Sequence, residues 1–359
     1  MENVMSVSDR IEKLLLKAEI GKPLLRDEIL ELLKMPGDFS PDLFDAADRV
    51  RKNDVGDEIY LRGIIEFSNF CERNCLYCGL RKGNTRVERY RMTGDEILKT
   101  AEDIRKTGIS TCVLQSGEDS FYTADTLCAL VESIKKETGL VLTLSIGERP
   151  MEDLRAFQQA GANRYLLKHE TASPELYSYL RPGCKLSERV RCLKTLKELG
   201  FETGTGNMVG LPGQTNEILA DDLLLMKMLD ADMLGIGPFI PHPDTPLDGI
   251  DHNGIEMTLR VIALARLITR NTNIPATTAL ATIHPQGRLL ALRAGANVVM
   301  PDFTPEQYKN RYDIYPGRAD VGAARDVIAK LRTDFEMIGR TMGTSVGNRP
   351  SAQIAKTLH

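Results

Sequence analysis

"STCVLQSGEDSFYTADTLCALVESIKKETGLVLTLSIG", residues 110–147, decides the fold. It opens on one apolar run, "STCVLQSG", and closes on another, "LVLTLSIG". Between them "ADTLCALVESIKKETG" carries apolar residues at helical spacing and ends on a glycine suited to a helix C-terminus. Strand, helix and strand in one such unit place the two strands parallel, with the helix covering their face. The alternation continues in both directions. Further strand-like runs are "EIYLRGIIEF" (58–67), "NRYLLKHE" (163–170), "FETGTGNMVG" (201–210), "DMLGIGPFI" (232–240), "NIPATTAL" (273–280) and "ANVVMPDF" (296–303). Helical runs lie between them, among them "TGDEILKTAEDIRKTG", "MEDLRAFQQAG", "LSERVRCLKTLKELG" and "IEMTLRVIALARLITR". Eight strand–helix units over residues 55–303 predict an α/β fold, a closed (β/α)8 barrel of the TIM type. An open doubly wound sheet is the structural alternative.

Outward from the barrel, "SDRIEKLLLKAEIG", "LRDEILELLKM" and "PDLFDAADRVRK" read as amphipathic helices. The expected organisation is an N-terminal helical extension over 1–50, the barrel over 51–305, and a C-terminal helical extension over 306–359 packing on the barrel. Hydrophobic residues make up 42% and charged residues 27%, the balance of a globular chain. With 46 Lys and Arg against 50 Asp and Glu, the net charge of −4 speaks against a dedicated nucleic-acid binder. No apolar run reaches the roughly 18 residues of a membrane helix. The N-terminus lacks the apolar core and cleavage site of a signal peptide. A cytoplasmic location is expected, and there a tight bunch of cysteines reads as a metal site rather than a disulfide framework.

Barrel enzymes carry their chemistry at the C-terminal ends of the strands. The polar motifs gather there: "FCERNCLYCGLR" (70–81), "SGED" (116–119), Ser145, "KHE" (168–170), "GTGNMVGLPG" (204–213), "PFIPHPDTP" (238–246) and "TT" (277–278). Cys71, Cys75 and Cys78 are three thiols where a structural zinc or an iron–sulfur cube normally takes four protein ligands. A cube held by three thiolates keeps one iron open to chelate an amine and a carboxylate. A zinc knuckle with a remote fourth ligand is the alternative. Cys112, Cys128, Cys184 and Cys192 lie in strand or helix patterns and read as ordinary packing residues.

The C-x3-C-x2-C spacing, with aromatic Tyr77 before the last cysteine, resembles the radical S-adenosylmethionine (radical SAM) enzymes. Beyond it, "RYRMT" (89–93), "LQSGED" (114–119), "TLSIGERP" (143–150), "RYLLKHETASPELY" (164–177), "GNMVGLPGQT" (206–215), "GIGPFIPHPDTPL" (235–247), "IPATTA" (274–279) and "YDIYPG" (312–317) resemble the HydE family of iron–iron hydrogenase maturases, over about residues 50–317. Biotin synthase and methylornithine synthase are neighbouring families. The resemblance implies one 4Fe–4S cluster on Cys71, Cys75 and Cys78, and S-adenosylmethionine on the open iron. Electron transfer then cleaves the sulfonium to a 5′-deoxyadenosyl radical. It places Gln115, Ser116 and Gly117 near the methionine amine, Glu170 at the ribose hydroxyls, Arg189 at the cofactor carboxylate, Met208 against the adenine, and Tyr77 beside the cluster. It assigns Thr143, Ser145, Lys168, Thr277, Thr278, Tyr312 and Tyr315 to a small anionic, amino-acid-like substrate.

His169 should point away from the site, and His242 and Asp244 should form a rigid loop at the cavity mouth. Some family members carry a second cluster on C-terminal cysteines. No cysteine follows Cys192 here, so one cluster is expected. The implied function is assembly of the hydrogenase di-iron centre, on a small sulfur-containing, cysteine-derived iron complex. Implied partners are a ferredoxin or flavodoxin as electron donor and, transiently, other hydrogenase maturases, with no nucleic acid and no membrane. Methylornithine-synthase-like or biotin-synthase-like chemistry on an amino acid, or a non-catalytic iron–sulfur scaffold, are the alternatives.

Overall fold

The computed structural model describes residues 6–251, 254–318 and 324–350; the remainder of the 306–359 extension lies outside the described residues. Eight strands follow one another around a ring. β1 is split by Arg62 into Glu58–Leu61 and Gly63–Ser68. β2 is Thr111–Ser116, β3 Val141–Ser145, β4 Arg164–Leu166, β5 Glu202–Thr205 and β6 Met233–Leu234. β7, over 273–275, is held by the bridges Met233↔Asn273 and Pro275↔Val298, and β8 is Val298–Val299. Each strand pairs in parallel with the next. The ring closes where Tyr60 pairs with Val298 and Ile64 with Asp302. That closure rules out the open doubly wound sheet.

Strand alternation sorts the side chains. Ile65, Phe67, Cys112, Leu114, Leu142, Leu144 and Tyr165 join the core beneath the helices. Glu66, Gln115 and Ser145 stand in register on the other face, toward the bore. Local chemistry sets the helix ends. Thr93 and Glu96 form a reciprocal capping box at the start of Gly94–Lys106, and Gly139 takes a left-handed conformation after Ala124–Thr138.

The N-terminal helices α1 (Val7–Glu19), α2 (Arg26–Lys34) and α3 (Ser40–Asp54) cover part of the helical ring. α3 lies on Glu256–Thr269, a helix buried over the whole of Thr258–Ile268, which explains its lack of a polar face. The C-terminal chain runs through the helix Ala324–Met337 and pairs Thr341–Met342 with β1. Its next residues seal the N-terminal mouth of the barrel. Arg164 donates to the Val346 carbonyl and the Asn348 side chain, while Arg62 and Asn273 donate to the Gly347 carbonyl. Burial, with Arg164 nearby, pushes the Arg62 guanidinium down to about 9. The floor is a plug of backbone carbonyls and guanidinium groups, and ligands have access from the other end.

Two expected strands are shorter than their apolar runs suggest. "FETGTGNMVG" breaks after Thr205, and "NIPATTAL" leaves the sheet early because Thr278–Ile283 is helical.

Candidate active site

The cysteine loop leaves the C-terminal end of β1. Cys75 is buried, and Cys71 and Cys78 are half-buried. Burial pushes the Cys75 thiol up to about 11 and Cys78 higher still, and the neighbouring thiols add to both shifts. Three thiols this close resist ionising together and call for a strong cationic partner. Among the described residues no three His, Cys, Asp or Glu side chains converge on a single ion position. A zinc ion needs such convergence. A cube does not, because each thiolate takes a separate iron corner.

The rest of the chain is built around this loop. A Cβ on Gly117 would lie 2.2 Å from the Phe70 carbonyl oxygen and 2.7 Å from the Cys71 Cβ, so only glycine lets β2 buttress the loop. The Gly117 amide donates to the Ser68 carbonyl, and the Glu72 amide to the Glu118 carbonyl. Arg89 donates to four carbonyls of the loop region, those of Asn69, Leu80, Arg81 and Asn84. Arg91 forks onto Asp119 and lies over the Phe70 ring, 3.7 Å from its centroid. The motif "RYRMT" is thus a strap across the cysteine loop.

Cys78 opens on a cavity of about 280 Å3 at the C-terminal end of the barrel. Tyr77, Gln115, Lys168, Glu170, Met208, Thr277, Thr278 and Tyr315 line it. Glu170 is held in a left-handed backbone conformation (φ 66°), a strain that non-glycine residues keep mainly at functional sites. Its amide donates to Gly206 and its carbonyl accepts from Met208. Burial works to raise its pKa, but Lys168, Arg181 and Arg189 outweigh burial and hold the carboxyl below its ordinary value. Lys168 Nζ stands 3.3 Å from Glu170 Oε2 without hydrogen-bond alignment, and that oxygen is buried with no hydrogen-bond partner. Arg189 Nε donates to the Tyr177 hydroxyl and lies 2.7 Å from Glu148, whereas its Nη2 is buried and makes no hydrogen bond. An ionised carboxylate and a guanidinium, each with an unused polar atom, suit the hydroxyls and the carboxylate of S-adenosylmethionine.

Other expected residues are placed differently. Thr143 lies deeper in the bore, level with Val113 and Arg164, its hydroxyl buried and without a partner. Ser145 is level with Gln115 but is not part of the cavity wall. Tyr312 is core: its ring lies beneath Arg318, 5.8 Å from the guanidinium carbon to the ring centroid, and its carbonyl accepts from Arg318. Ser116 turns its hydroxyl onto the Gly117 carbonyl. His169 is buried against Thr205, facing away from the cavity, and His242 is 3.0 Å from Asp313.

Sequence reasoning missed several members. Glu118 lies between Arg73 and Arg181, at 2.6 and 3.2 Å, with Arg189 at 3.7 Å. Arg181 also donates to the Tyr77 hydroxyl. Glu66 and Arg318 line the cavity opposite Glu170 as a two-pronged ion pair, both contacts 2.7 Å. The signal for Glu66 was available: it is a lone carboxylate at an inward position of an apolar strand.

The radical SAM superfamily model matches residues 65–226. FeFe hydrogenase maturase subunit HydE of Thermotoga maritima is 50% identical over 315 residues, 87% of this chain and 89% of that one. The chain belongs to the HydE family. A 3-methylornithine synthase of Methanosarcina acetivorans is 32% identical over 344 residues, 94% of each chain. The crystal structure of methylornithine synthase PylB superposes with a TM-score of 0.79 at 28% identity, covering 92% of this chain and 97% of that one. The maturase HydG of Carboxydothermus hydrogenoformans reaches 0.80 at 18% identity, covering 97% and 81%, and speaks for the shared barrel alone. This HydE-family chain is therefore a radical SAM enzyme, and enzymes of this kind work with a 4Fe–4S cluster and S-adenosylmethionine. No helix among the described residues is long and apolar enough to cross a membrane.

Proposed function

We propose that the chain acts in assembly of the di-iron centre of iron–iron hydrogenase, on a small sulfur-containing, cysteine-derived iron complex. The observation that carries this reading is the meeting of Cys78 and Glu170 on one cavity, in a chain half-identical to HydE. Cys71, Cys75 and Cys78 would hold the 4Fe–4S cluster. With S-adenosylmethionine bound to it, this cluster supplies one-electron cleavage to a 5′-deoxyadenosyl radical. Glu170 accepts hydrogen bonds from the ribose hydroxyls, Arg189 receives the cofactor carboxylate, and Met208 offers an apolar face to the base. The carbonyl-rich bend at Gln115–Gly117 faces the methionine amine. Lys168, Thr277, Thr278 and Tyr315 bind the substrate, with Thr143 and Ser145 below them. The apolar lining of Ile64, Leu166, Phe239 and Met300 keeps water from a radical. A cytoplasmic ferredoxin or flavodoxin supplies the electron, and other hydrogenase maturases exchange substrate and product with the chain in brief contacts.

Anaerobic reconstitution followed by dithionite reduction tests the enzyme, with 5′-deoxyadenosine as the readout. Restoration of hydrogenase activity in a maturation system depleted of its own HydE tests the pathway. Formation of methylornithine, without restoration, would replace this reading with the mutase. Absence of 5′-deoxyadenosine would replace both with an iron–sulfur scaffold.

A further inference from the structure

Glu66 has no part in the roles above, yet it is wholly buried and its side chain forms part of the cavity wall. Its main chain is fixed on both sides, the amide donating to the Thr304 hydroxyl and the carbonyl accepting from Tyr90. Its carboxylate takes one bond from each terminal nitrogen of Arg318 and a long one, 3.4 Å, from Gln115 Nε2. A buried ion pair is a poor way to stabilise a fold, because desolvation offsets the attraction. Burial pushes the Glu66 carboxyl up to about 8 against the pull of Arg318, and an arriving ammonium group favours its ionised form, which only accepts hydrogen bonds and has about four acceptor positions. Arg318 fills one on each oxygen and Gln115 weakly fills a third, leaving capacity toward the cavity. Arg318 is itself incompletely used, its Nε buried without a hydrogen-bond partner. The cavity wall also carries the donors Lys168, Thr277 and Thr278, with Lys168 3.3 Å from Glu170. The cavity therefore offers a small ligand both acceptors and donors.

We propose that Glu66, aimed by Arg318, receives a protonated amine of the substrate, so that the cavity takes a small zwitterionic amino-acid unit with its carboxylate toward Lys168, Thr277 and Thr278. This rests on the substrate cavity assigned above, and it narrows the ligand from an anion to a molecule carrying both charges. Glu66 is a binding residue and Arg318 a positioning residue.

The probes are L-cysteine and N-acetyl-L-cysteine, which share thiol and carboxylate and differ in the amine. Binding is measured by calorimetry on the anaerobically reconstituted protein with S-adenosylmethionine present, and iron content is measured on each sample. The wild type is expected to bind L-cysteine about tenfold more tightly, the worth of one charge-assisted hydrogen bond. Glu66→Gln keeps the shape and should erase the preference. Arg318→Met should also erase it, and Arg318→Lys should restore part of it, which a merely structural role would not do. A wild type that does not discriminate overturns the proposal, as does a Glu66→Gln protein that still does. If Glu66→Gln loses its iron, Arg318→Met decides: a preference kept there overturns the proposal too. Formation of 5′-deoxyadenosine in the same wild-type samples tests the family reading separately, since amine discrimination and cofactor cleavage are read independently.

Discussion

Replacing Arg89 with methionine should loosen the cysteine loop without touching a cysteine. The guanidinium donates to the carbonyls of Asn69, Leu80, Arg81 and Asn84 at 2.5–3.1 Å, which tie both ends of the loop that carries Cys71, Cys75 and Cys78. No carboxylate shares it in these bonds. Burial pushes its pKa below the ordinary value, while the ionised forms of Cys71 and Cys78 push it back, so its charge is felt at the thiols. A charge-assisted bond is worth roughly 1.5–3 kcal/mol net, and four independent ones would sum to roughly 6–12 kcal/mol. These four share one group and sit where water can reach, so the expected loss is about 3 kcal/mol. Denaturant unfolding of the iron-free chain measures it. Iron and sulfide per chain after anaerobic reconstitution, and iron lost to a chelator over time, measure the effect on the cluster site. Arg89→Met should show lower occupancy and faster loss. Arg89→Lys should fall between, because an ammonium is a point charge and cannot span four carbonyls as the planar fork does. Unchanged unfolding and unchanged chelator resistance in Arg89→Met would refute the strap.

The wild type should hold about four irons per chain, as one cube requires, and iron near twice that would show a second cluster. Cys71→Ala, Cys75→Ala and Cys78→Ala should each lose the cluster and 5′-deoxyadenosine formation, whereas alanine at Cys112, Cys128, Cys184 or Cys192 should keep both and cost roughly 0.5–3 kcal/mol of stability. Gly117→Ala places a methyl 2.2 Å from the Phe70 carbonyl oxygen, so it should displace the cysteine loop and lower iron content in a protein that still folds. Glu170→Ala or Arg189→Ala should weaken S-adenosylmethionine binding by roughly 1.5–3 kcal/mol, about tenfold or more, with iron content kept; unchanged affinity in both would move the cofactor elsewhere. Because the Glu170 pKa is lowered from 4.5, its ion pairing contributes stability above that value and loses it as pH falls through the lowered one, so the difference in unfolding free energy between wild type and Glu170→Gln should shrink only in acid.

The barrel was legible because its first half is regular. β2 and β3 are uninterrupted, and Cys112, Leu114, Leu142 and Leu144 alternate toward the helices as an apolar strand pattern demands. The cysteine loop was legible for a different reason: three thiols at fixed spacing need no tertiary information. The pairing of Glu66 with Arg318 was not, since the two stand 252 residues apart and meet only when β1 and the chain after Tyr315 reach the same mouth. The depth of Tyr312 and of Thr143 was hidden by the same gap in knowledge. A tyrosine near a motif and a threonine on a strand carry no mark of depth, and depth is what separates a core ring or a bore-filling hydroxyl from a cavity wall.

Regularity fails where the chemistry sits. Beyond Leu166 the backbone leaves the sheet to set Glu170 in a left-handed turn, rejoins through the single bridge Glu170↔Asn207, and pairs Met208–Val209 with Gly237–Pro238 as a separate two-stranded piece above the ring. Apolar periodicity cannot report such a path, because carbonyls and side chains there are spent on aiming Glu170, Met208 and Lys168 rather than on continuing a ladder. At the opposite end Arg62, Arg164 and Asn273 donate to carbonyls of the tail, although Arg62 Nε is buried there without a hydrogen-bond partner. At the C-terminal end Glu170 Oε2, Arg189 Nη2 and Arg318 Nε are also buried without hydrogen-bond partners, so unpartnered atoms occur at both mouths and do not by themselves tell them apart. What marks the active end is that the tail leaves it open, with a cavity on which Cys78, Glu170 and Arg318 converge, where a bound ligand can complete the hydrogen bonding that the chain leaves unfinished.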